Sequence, residues 1–438
     1  MNKHTTTVSL ENQWMPFTGN RDFKSTPHLM VRGEGLYYWN DKNEKILDGS
    51  SGLFCCAAGH CRPEITAAVA EQLSELDFAP PFQMGHPLAF ELATKVAKHT
   101  PQGLNRILFV NSGSEAVDSA MKIAYAYHRA RGEGQRQRFV SRERAYHGVN
   151  LGGTALGGLV RNREAFGVGL PGVTHLRHTW LEENRFVQGQ PEYGAHLAED
   201  LQRFVDLYGA ETITACFVEP IAGSTGVLVP PKGYLERLRE ICDENEILLV
   251  FDEVICGFGR TGKAFAADSF AVRPDMITMA KALTNGAQPM GAVAVDEKIY
   301  HAIVESSPKN SIELFHGYTY SGHPAACAAG IAMMQILEKE NLFARAAELS
   351  TYFLDQVFAL KRYDAITDIR GYGMIAGFDV APKGKTGQGL KFQRKLYAAG
   401  LHVKTTGDSG IIAPPLIAER SHIDELCGIM AEVLEDLE

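Results

Sequence analysis

The sequence predicts an α/β fold: a large domain built on a mainly parallel, mixed sheet, with a smaller α+β domain beside it. Three observations carry the prediction. Short apolar, β-branched runs alternate with amphipathic helical patterns along the middle of the chain, as in strand–helix–strand units of a parallel sheet. The chain has 438 residues, too many for one compact core. Both flanks read differently from the centre. The composition agrees, since 45% hydrophobic and 22% charged residues describe a globular protein and exclude a disordered or collagen-like one. Glycine is in excess, at 43 residues of 438, against an average of about 7%. With no collagen-like period, that excess marks tight turns and loops that approach something closely.

The elements follow in chain order. Residues 1–60 contain a β-hairpin, with apolar runs at 36–39 and 45–47 around an Asp-Lys-Asn turn at 41–43, and are assigned to the smaller domain. The large domain is expected over 61–340. Its first strand is Arg106–Val110, followed by a helix over about 114–131 that opens on Ser-Glu-Ala. Ile213–Val218 and 247–251 read as buried strands, joined through a helix near 233–245. Met276–Met279 and 292–295 are two further strands, and a long alanine-rich helix over 324–340 closes the domain. Residues 341–438 run helix, strand, helix, completing the smaller α+β domain.

Charge and targeting signals narrow the function. With 43 basic and 52 acidic residues the net charge is −9; no dense Lys/Arg cluster is present, so a nucleic-acid binder is excluded as an expectation. The first fourteen residues lack an apolar segment and predict no secretory signal, and no apolar run is long enough to span a membrane. Eight cysteines, most in apolar company, predict reduced thiols in a cytoplasmic protein. Cys55, Cys56, His60 and Cys61 cluster but lack CxxC spacing and a second half, so no metal site is expected.

Three motifs carry chemistry. Asn111-Ser112-Gly113-Ser114-Glu115 lies between a strand and a helix, where free backbone N–H groups and the helix dipole favour an anion; Ser112 or Ser114 could equally be a simple N-cap. Leu249-Val-Phe-Asp252-Glu253 is a buried strand ending in carboxylates, at the strand end where open α/β sheets bind ligands. Asp252 there suits a cationic heterocycle nitrogen, or caps the following turn. Asp275-Met-Ile-Thr-Met-Ala-Lys281 brings a lysine to another strand end. Partial burial would lower its pKa and make it a nucleophile able to form a Schiff base, although a lone strand-end lysine is more often a solvated one. The formal GxGxxG at Gly257–Gly262 is not a dinucleotide site, because it neither follows the strand at once nor opens a helix.

Together, an anion cup, a strand-end Asp252 and a strand-end Lys281 meet the needs of pyridoxal phosphate: phosphate to the cup, ring nitrogen to Asp252, aldehyde to Lys281. Tyr146, in a loop after a predicted strand, is placed to stack on the ring. A carboxylate about 4 Å from the ring nitrogen stabilises its cation by up to about 4 kcal/mol at an effective dielectric near 20. That corresponds to roughly three pKa units.

Over nearly its whole length, from Trp14-Met-Pro-Phe17 onward, the sequence resembles the class III (ω-) aminotransferases of pyridoxal-phosphate fold type I. The resemblance rests on Phe251-Asp-Glu-Val with Gly257-Phe-Gly-Arg-Thr-Gly262, Asp275 and Ala280-Lys281. Phe82-Gln-Met-Gly-His-Pro87, Tyr146-His-Gly-Val149 and His316-Gly-Tyr-Thr-Tyr-Ser-Gly-His-Pro324 bring it nearest the β-alanine (or amine):pyruvate transaminases. The resemblance implies that Lys281 bonds the cofactor and shuttles a proton, that Asp252 pairs with the ring nitrogen, and that Tyr146 and Val254 sandwich the ring. It implies that Ser112, Gly113 and Ser114 hold the phosphate, with Thr319 reaching the phosphate of a neighbouring subunit. His147 and Glu219 are implied near the cofactor. The family implies a homodimer with shared active sites, or a tetramer of such dimers.

The same resemblance implies an ω-amino acid or amine as donor and a small keto acid as acceptor, with diaminopelargonate, GABA, taurine or polyamine transaminases and aminomutases sharing the motifs. Lys404 stands where many relatives carry an arginine for the substrate carboxylate; it keeps the charge but loses the bidentate fork. Ser224 fills the position of a glutamate that parks that arginine in relatives using 2-oxoglutarate, which favours pyruvate. Trp14, Phe54, Phe82, Val149 and Ala222 are expected to line the substrate pocket.

Overall fold

A computed structural model describes residues 9–167 and 169–437. Near the N-terminus Met30–Glu34 (β1), Tyr37–Asn40 (β2) and Lys45–Asp48 (β3) form an antiparallel meander. The next seven strands form the central sheet: Arg106–Val110 (β4), Arg138–Arg142 (β5), Val173–Leu176 (β6), Ile213–Val218 (β7), Leu248–Asp252 (β8), Met276–Met279 (β9) and Gly291–Val295 (β10). Their spatial order is β4-β10-β9-β8-β7-β5-β6. The run from β9 through β8, β7 and β5 to β6 is parallel. Only β10 opposes its neighbours, β4 and β9. Every residue of β7, β8, β9 and β10 is buried, which is why these strands read as mostly apolar runs.

Helices cover the sheet. The helix Gly113–Ala130 buries Ala116, Val117, Ala120, Ile123, Ala124 and Tyr127, one stripe at helical spacing. The helix Pro324–Lys339 is apolar almost all round and buried, because the helices Pro63–Glu75 and Pro87–Ala97 pack against it.

The C-terminal segment holds more strand than its pattern predicts. Ile366–Tyr372 (β11), Ile375–Val380 (β12), Lys404–Thr406 and Ser409–Ile412 form a second antiparallel sheet. Leu401–His402 (β13) pairs in parallel with β3, Leu401 beside Leu47 and His402 beside Asp48. Strands of two to four residues between glycines are too short to show a period. Among the described residues, no helix is long and apolar enough to cross a membrane.

The segment Gly257–Gly262 is a turn, and the next helix begins only at Ala266. Its Arg260 is buried and donates to the carbonyls of Met374 and Pro414 and to Ser51 Oγ, tying the central fold to both flanks. His60, in the cysteine-rich cluster, bonds Asp48 Oδ2 through Nε2 at 2.7 Å.

Candidate active site

The C-terminal ends of β7, β8 and β9 bring Glu219, Asp252 and Lys281 to one cavity of about 800 Å³. Strand β8 runs one residue further than expected and ends on Asp252 itself, opposite Thr278 of β9. Lys281 follows β9 by two residues and opens a short 3-10 turn at φ 51°, a left-handed conformation that non-glycine residues seldom adopt.

The charges are arranged unequally. Asp252 Oδ2 bonds His147 Nδ1 at 2.8 Å, and its Oδ1 accepts from the Val254 N–H at 3.2 Å. His147 is 1% exposed, and its Nε2 has no partner among the described residues. Glu219 accepts from the N–H groups of Tyr146 and Gly223 at 2.9 and 3.2 Å. Burial pushes its carboxyl up to about 7, with the Asp252 charge adding to the rise and His147 opposing it. Burial likewise holds the Lys281 amine below its ordinary value, against the pull of Cys55 and Asp252. Its Nζ lies 5.1 Å from the centre of the Phe54 ring.

The first turn of the helix Gly113–Ala130 borders the same cavity. A side chain at Gly113 would stand 3.0 Å from both methyls of Val254, and one at Gly148 only 2.5 Å from Ser114 Oγ. Ser114 Oγ accepts from the Val149 N–H at 3.1 Å. Helix start, Gly148 loop and Val254 therefore touch, leaving a narrow cup lined by first-turn N–H groups.

Of the residues singled out by sequence, Phe54, Gly113, Ser114, Tyr146, His147, Glu219, Asp252, Val254, Lys281 and Lys404 all border the cavity, as does Ser224. Ser112 does not: its hydroxyl caps the helix by accepting from the Glu115 N–H at 3.1 Å, while Glu115 takes the Asn111 N–H at 2.7 Å. Trp14 is 87% and Phe82 57% exposed, and neither reaches the cavity within this chain. Asn20 ties both backbone groups of Met15, at 2.8 and 3.0 Å, and it is Phe17 of this segment that borders the site. Val149 is turned outward, Ala222 is locked into the core by paired bonds with Leu228, and Thr319 is exposed outside the cavity. Of the glycines, Gly113, Gly148 and Gly407 border the cavity. Gly257, Gly259, Gly262 and Gly286 pack instead against Phe265, Leu416, Ala347 and Cys55.

Sequence reasoning missed Arg144, Arg161, Asn162 and Thr225, which also border the cavity. The one available signal was the arginine-rich stretch Arg142-Glu-Arg144 immediately before Tyr146.

The donor set fits pyridoxal 5′-phosphate. An anion cup, a carboxylate and an amine share one cavity of about 800 Å³, and among the described residues the Asp252 side chain is hydrogen-bonded to His147 and not to Lys281.

Comparison with known proteins points the same way. The aminotransferase class-III family profile matches residues 18–434. An omega-aminotransferase of Caulobacter vibrioides is 51% identical over 428 residues, covering 97% of each chain. An omega-amino acid–pyruvate aminotransferase of Pseudomonas putida is 45% identical, covering 98% of this chain and 97% of the relative. The crystal structure of an omega transaminase from Pseudomonas jessenii in complex with PMP superposes with a TM-score of 0.92 at 30% identity, covering 98% of each chain. The chain belongs to the class-III aminotransferases, which work with pyridoxal 5′-phosphate.

Proposed function

We propose that this enzyme is an ω-transaminase that moves an amino group from an ω-amino acid or amine, such as β-alanine, to pyruvate, giving L-alanine and an aldehyde, semialdehyde or ketone. The observation that carries the reading is the meeting of Lys281, Asp252 and the helix start at Gly113 on one cavity that Lys404 and Ser224 also border. Relatives named omega-amino acid–pyruvate and beta-alanine–pyruvate aminotransferase, 45% and 43% identical, support it.

When bound, pyridoxal 5′-phosphate supplies the aldehyde that receives the amino group and the ring that stores the electron pair. The chain's own residues do the rest. Lys281 Nζ, its basicity lowered by burial, takes the proton from the substrate carbon as general base. Burial pushes the Glu219 carboxyl up to about 7, and the bond from His147 Nδ1 fixes the orientation of the Asp252 carboxylate. Gly113 and Ser114 offer N–H groups to the phosphate, Tyr146 and Val254 bracket the ring, and Phe54 supplies an apolar wall. Trp14, Phe82, Val149 and Thr319, outside the cavity of one chain, are assigned to the site that a second copy completes. Their exposure supports a homodimer.

Ser224 provides no carboxylate to engage Lys404, whose Nζ, among the described residues, donates to its neighbour's carbonyl, Thr405 O, at 2.9 Å. That supports pyruvate over 2-oxoglutarate. The pairing of β13 with β3 supports reading 1–60 and 341–438 as one composite lobe against 61–340, in a cytoplasmic enzyme. Initial rates for a donor panel with pyruvate and with 2-oxoglutarate test the assignment. Alanine formation from β-alanine and pyruvate is expected, and a preference for 2-oxoglutarate would contradict it.

A further inference from the structure

The cavity has a second cationic end. Arg144, in the loop after β5, adopts φ 59° and holds its place through its N–H, bonded to Gly158 O at 3.2 Å. Its guanidinium borders the cavity and donates from Nη2 to Thr225 O at 3.1 Å. Among the described residues no carboxylate lies within ion-pair distance of it. The acids nearby are already engaged. Asp379 accepts a fork from Arg370 at 2.7 and 2.9 Å. Asp368 takes Arg370, Trp180 Nε1 and the Phe186 N–H. A guanidinium removed from bulk water with no anion beside it is costly unless a ligand supplies one.

Lys404 reaches the same cavity from another element, the strand Lys404–Thr406 paired with Ser409–Ile412, whereas Arg144 comes from the loop after β5. The two substrates also place their carboxylates differently. In a 2-keto acid the carboxylate is attached directly to the reacting carbon, while in an ω-amino acid it is separated from it by one or more methylenes. A single fixed cation cannot meet both, and a planar fork recognises a carboxylate better than an ammonium does.

We propose that Arg144 is a specificity-determining residue that binds the terminal carboxylate of an ω-amino acid donor, leaving Lys404 to the carboxylate of the small keto acid. This inference rests on the transaminase reading above and refines it. Ser224 and Thr225 line the same cavity as the guanidinium, and Leu159 and Val160 add apolar side chains to its lining for the methylenes of the donor.

The test uses the holoenzyme and its Arg144→Gln and Arg144→Lys variants. Propionate, a carboxylate without an amine, is titrated calorimetrically, and kcat/KM is measured for β-alanine and for propylamine. Loss of a charged hydrogen-bonded pair should weaken propionate at least about tenfold in Arg144→Gln and lower the β-alanine-to-propylamine specificity ratio by a similar factor. Arg144→Lys should recover part of both, since the charge remains and the fork is lost. Unchanged propionate affinity, or an unchanged specificity ratio, would overturn the proposal. So would propionate binding that is lost in Lys404→Ala but kept in Arg144→Gln. Should the wild type fail to transaminate β-alanine with pyruvate, the functional reading falls, while the propionate titration still decides whether Arg144 binds carboxylates.

Discussion

Replacing Asp252 by asparagine isolates the charge at the centre of the site. The side chain keeps its shape, but its two oxygens now accept from two donors, His147 Nδ1 at 2.8 Å and the Val254 N–H at 3.2 Å. An amide offers one oxygen, so its NH2 must face a donor unless the His147 proton moves to Nε2, a buried atom with no partner among the described residues. The larger loss is electrostatic. A carboxylate about 4 Å from a cationic ring nitrogen contributes about 4 kcal/mol at an effective dielectric near 20, equivalent to roughly a thousandfold in rate. The assay is the rate of each half-reaction, followed in single turnovers by cofactor absorbance with cofactor occupancy measured in parallel. A fall of two to four decades (about a thousandfold, by the same Coulomb estimate) with cofactor retained is expected. A rate within about tenfold of wild type would refute the reasoning, because that leaves the charge worth only about 1.4 kcal/mol.

Further outcomes follow from the same geometry. Gly148→Ala places a methyl 2.5 Å from Ser114 Oγ at a φ of +97°, so cofactor affinity, measured by equilibrium dialysis, should fall at least about tenfold, from strain of about 1–2 kcal/mol plus the displaced cup; unchanged affinity would remove the cup from the phosphate site. Lys404→Ala should raise KM for pyruvate about tenfold or more beyond its effect on an uncharged aldehyde acceptor, and equal effects would dismiss the carboxylate role. Glu219 titrates at about 7 when folded against 4.5 as its ordinary value. Between those values the unfolded chain has lost the proton that the folded one keeps, so stability falls as pH rises through that window and levels above it. Denaturant melts of the cofactor-free protein should show this slope, worth roughly 3 kcal/mol, added to that of Glu253, which burial pushes up to about 8, and Glu219→Gln should reduce it; an identical slope in the variant would contradict the assignment.

Much of this was legible in the sequence because burial on both faces writes itself as mostly apolar residues, as in β7 and β9, which fall at the expected bounds. So does β4, exposed only at its first residue, and a charged residue at the end of such a run, Asp252 or Lys281, stands out for the same reason. What local pattern could not show is which way a loop turns. Ser112 and Ser114 are equivalent as small hydroxyls, yet only the bond between Ser112 Oγ and the Glu115 N–H separates cap from cup. Trp14 and Phe17 share one segment, and the Asn20 clasp on Met15 decides which faces the cavity. Four of the loop glycines serve packing against Phe265, Leu416, Ala347 and Cys55, a demand invisible without tertiary contacts. Arg144 was hidden because its significance lies in the partners it lacks.

The central claim is that Lys281 bonds the cofactor, and borohydride reduction of the holoenzyme followed by peptide mass mapping tests it directly. Two lysines border the cavity, Lys281 and Lys404, so the experiment has a built-in alternative. The pyridoxyl mass is expected on the peptide containing Lys281, with none in a folded Lys281→Ala variant. Label on Lys404, or label that persists in Lys281→Ala, would contradict it.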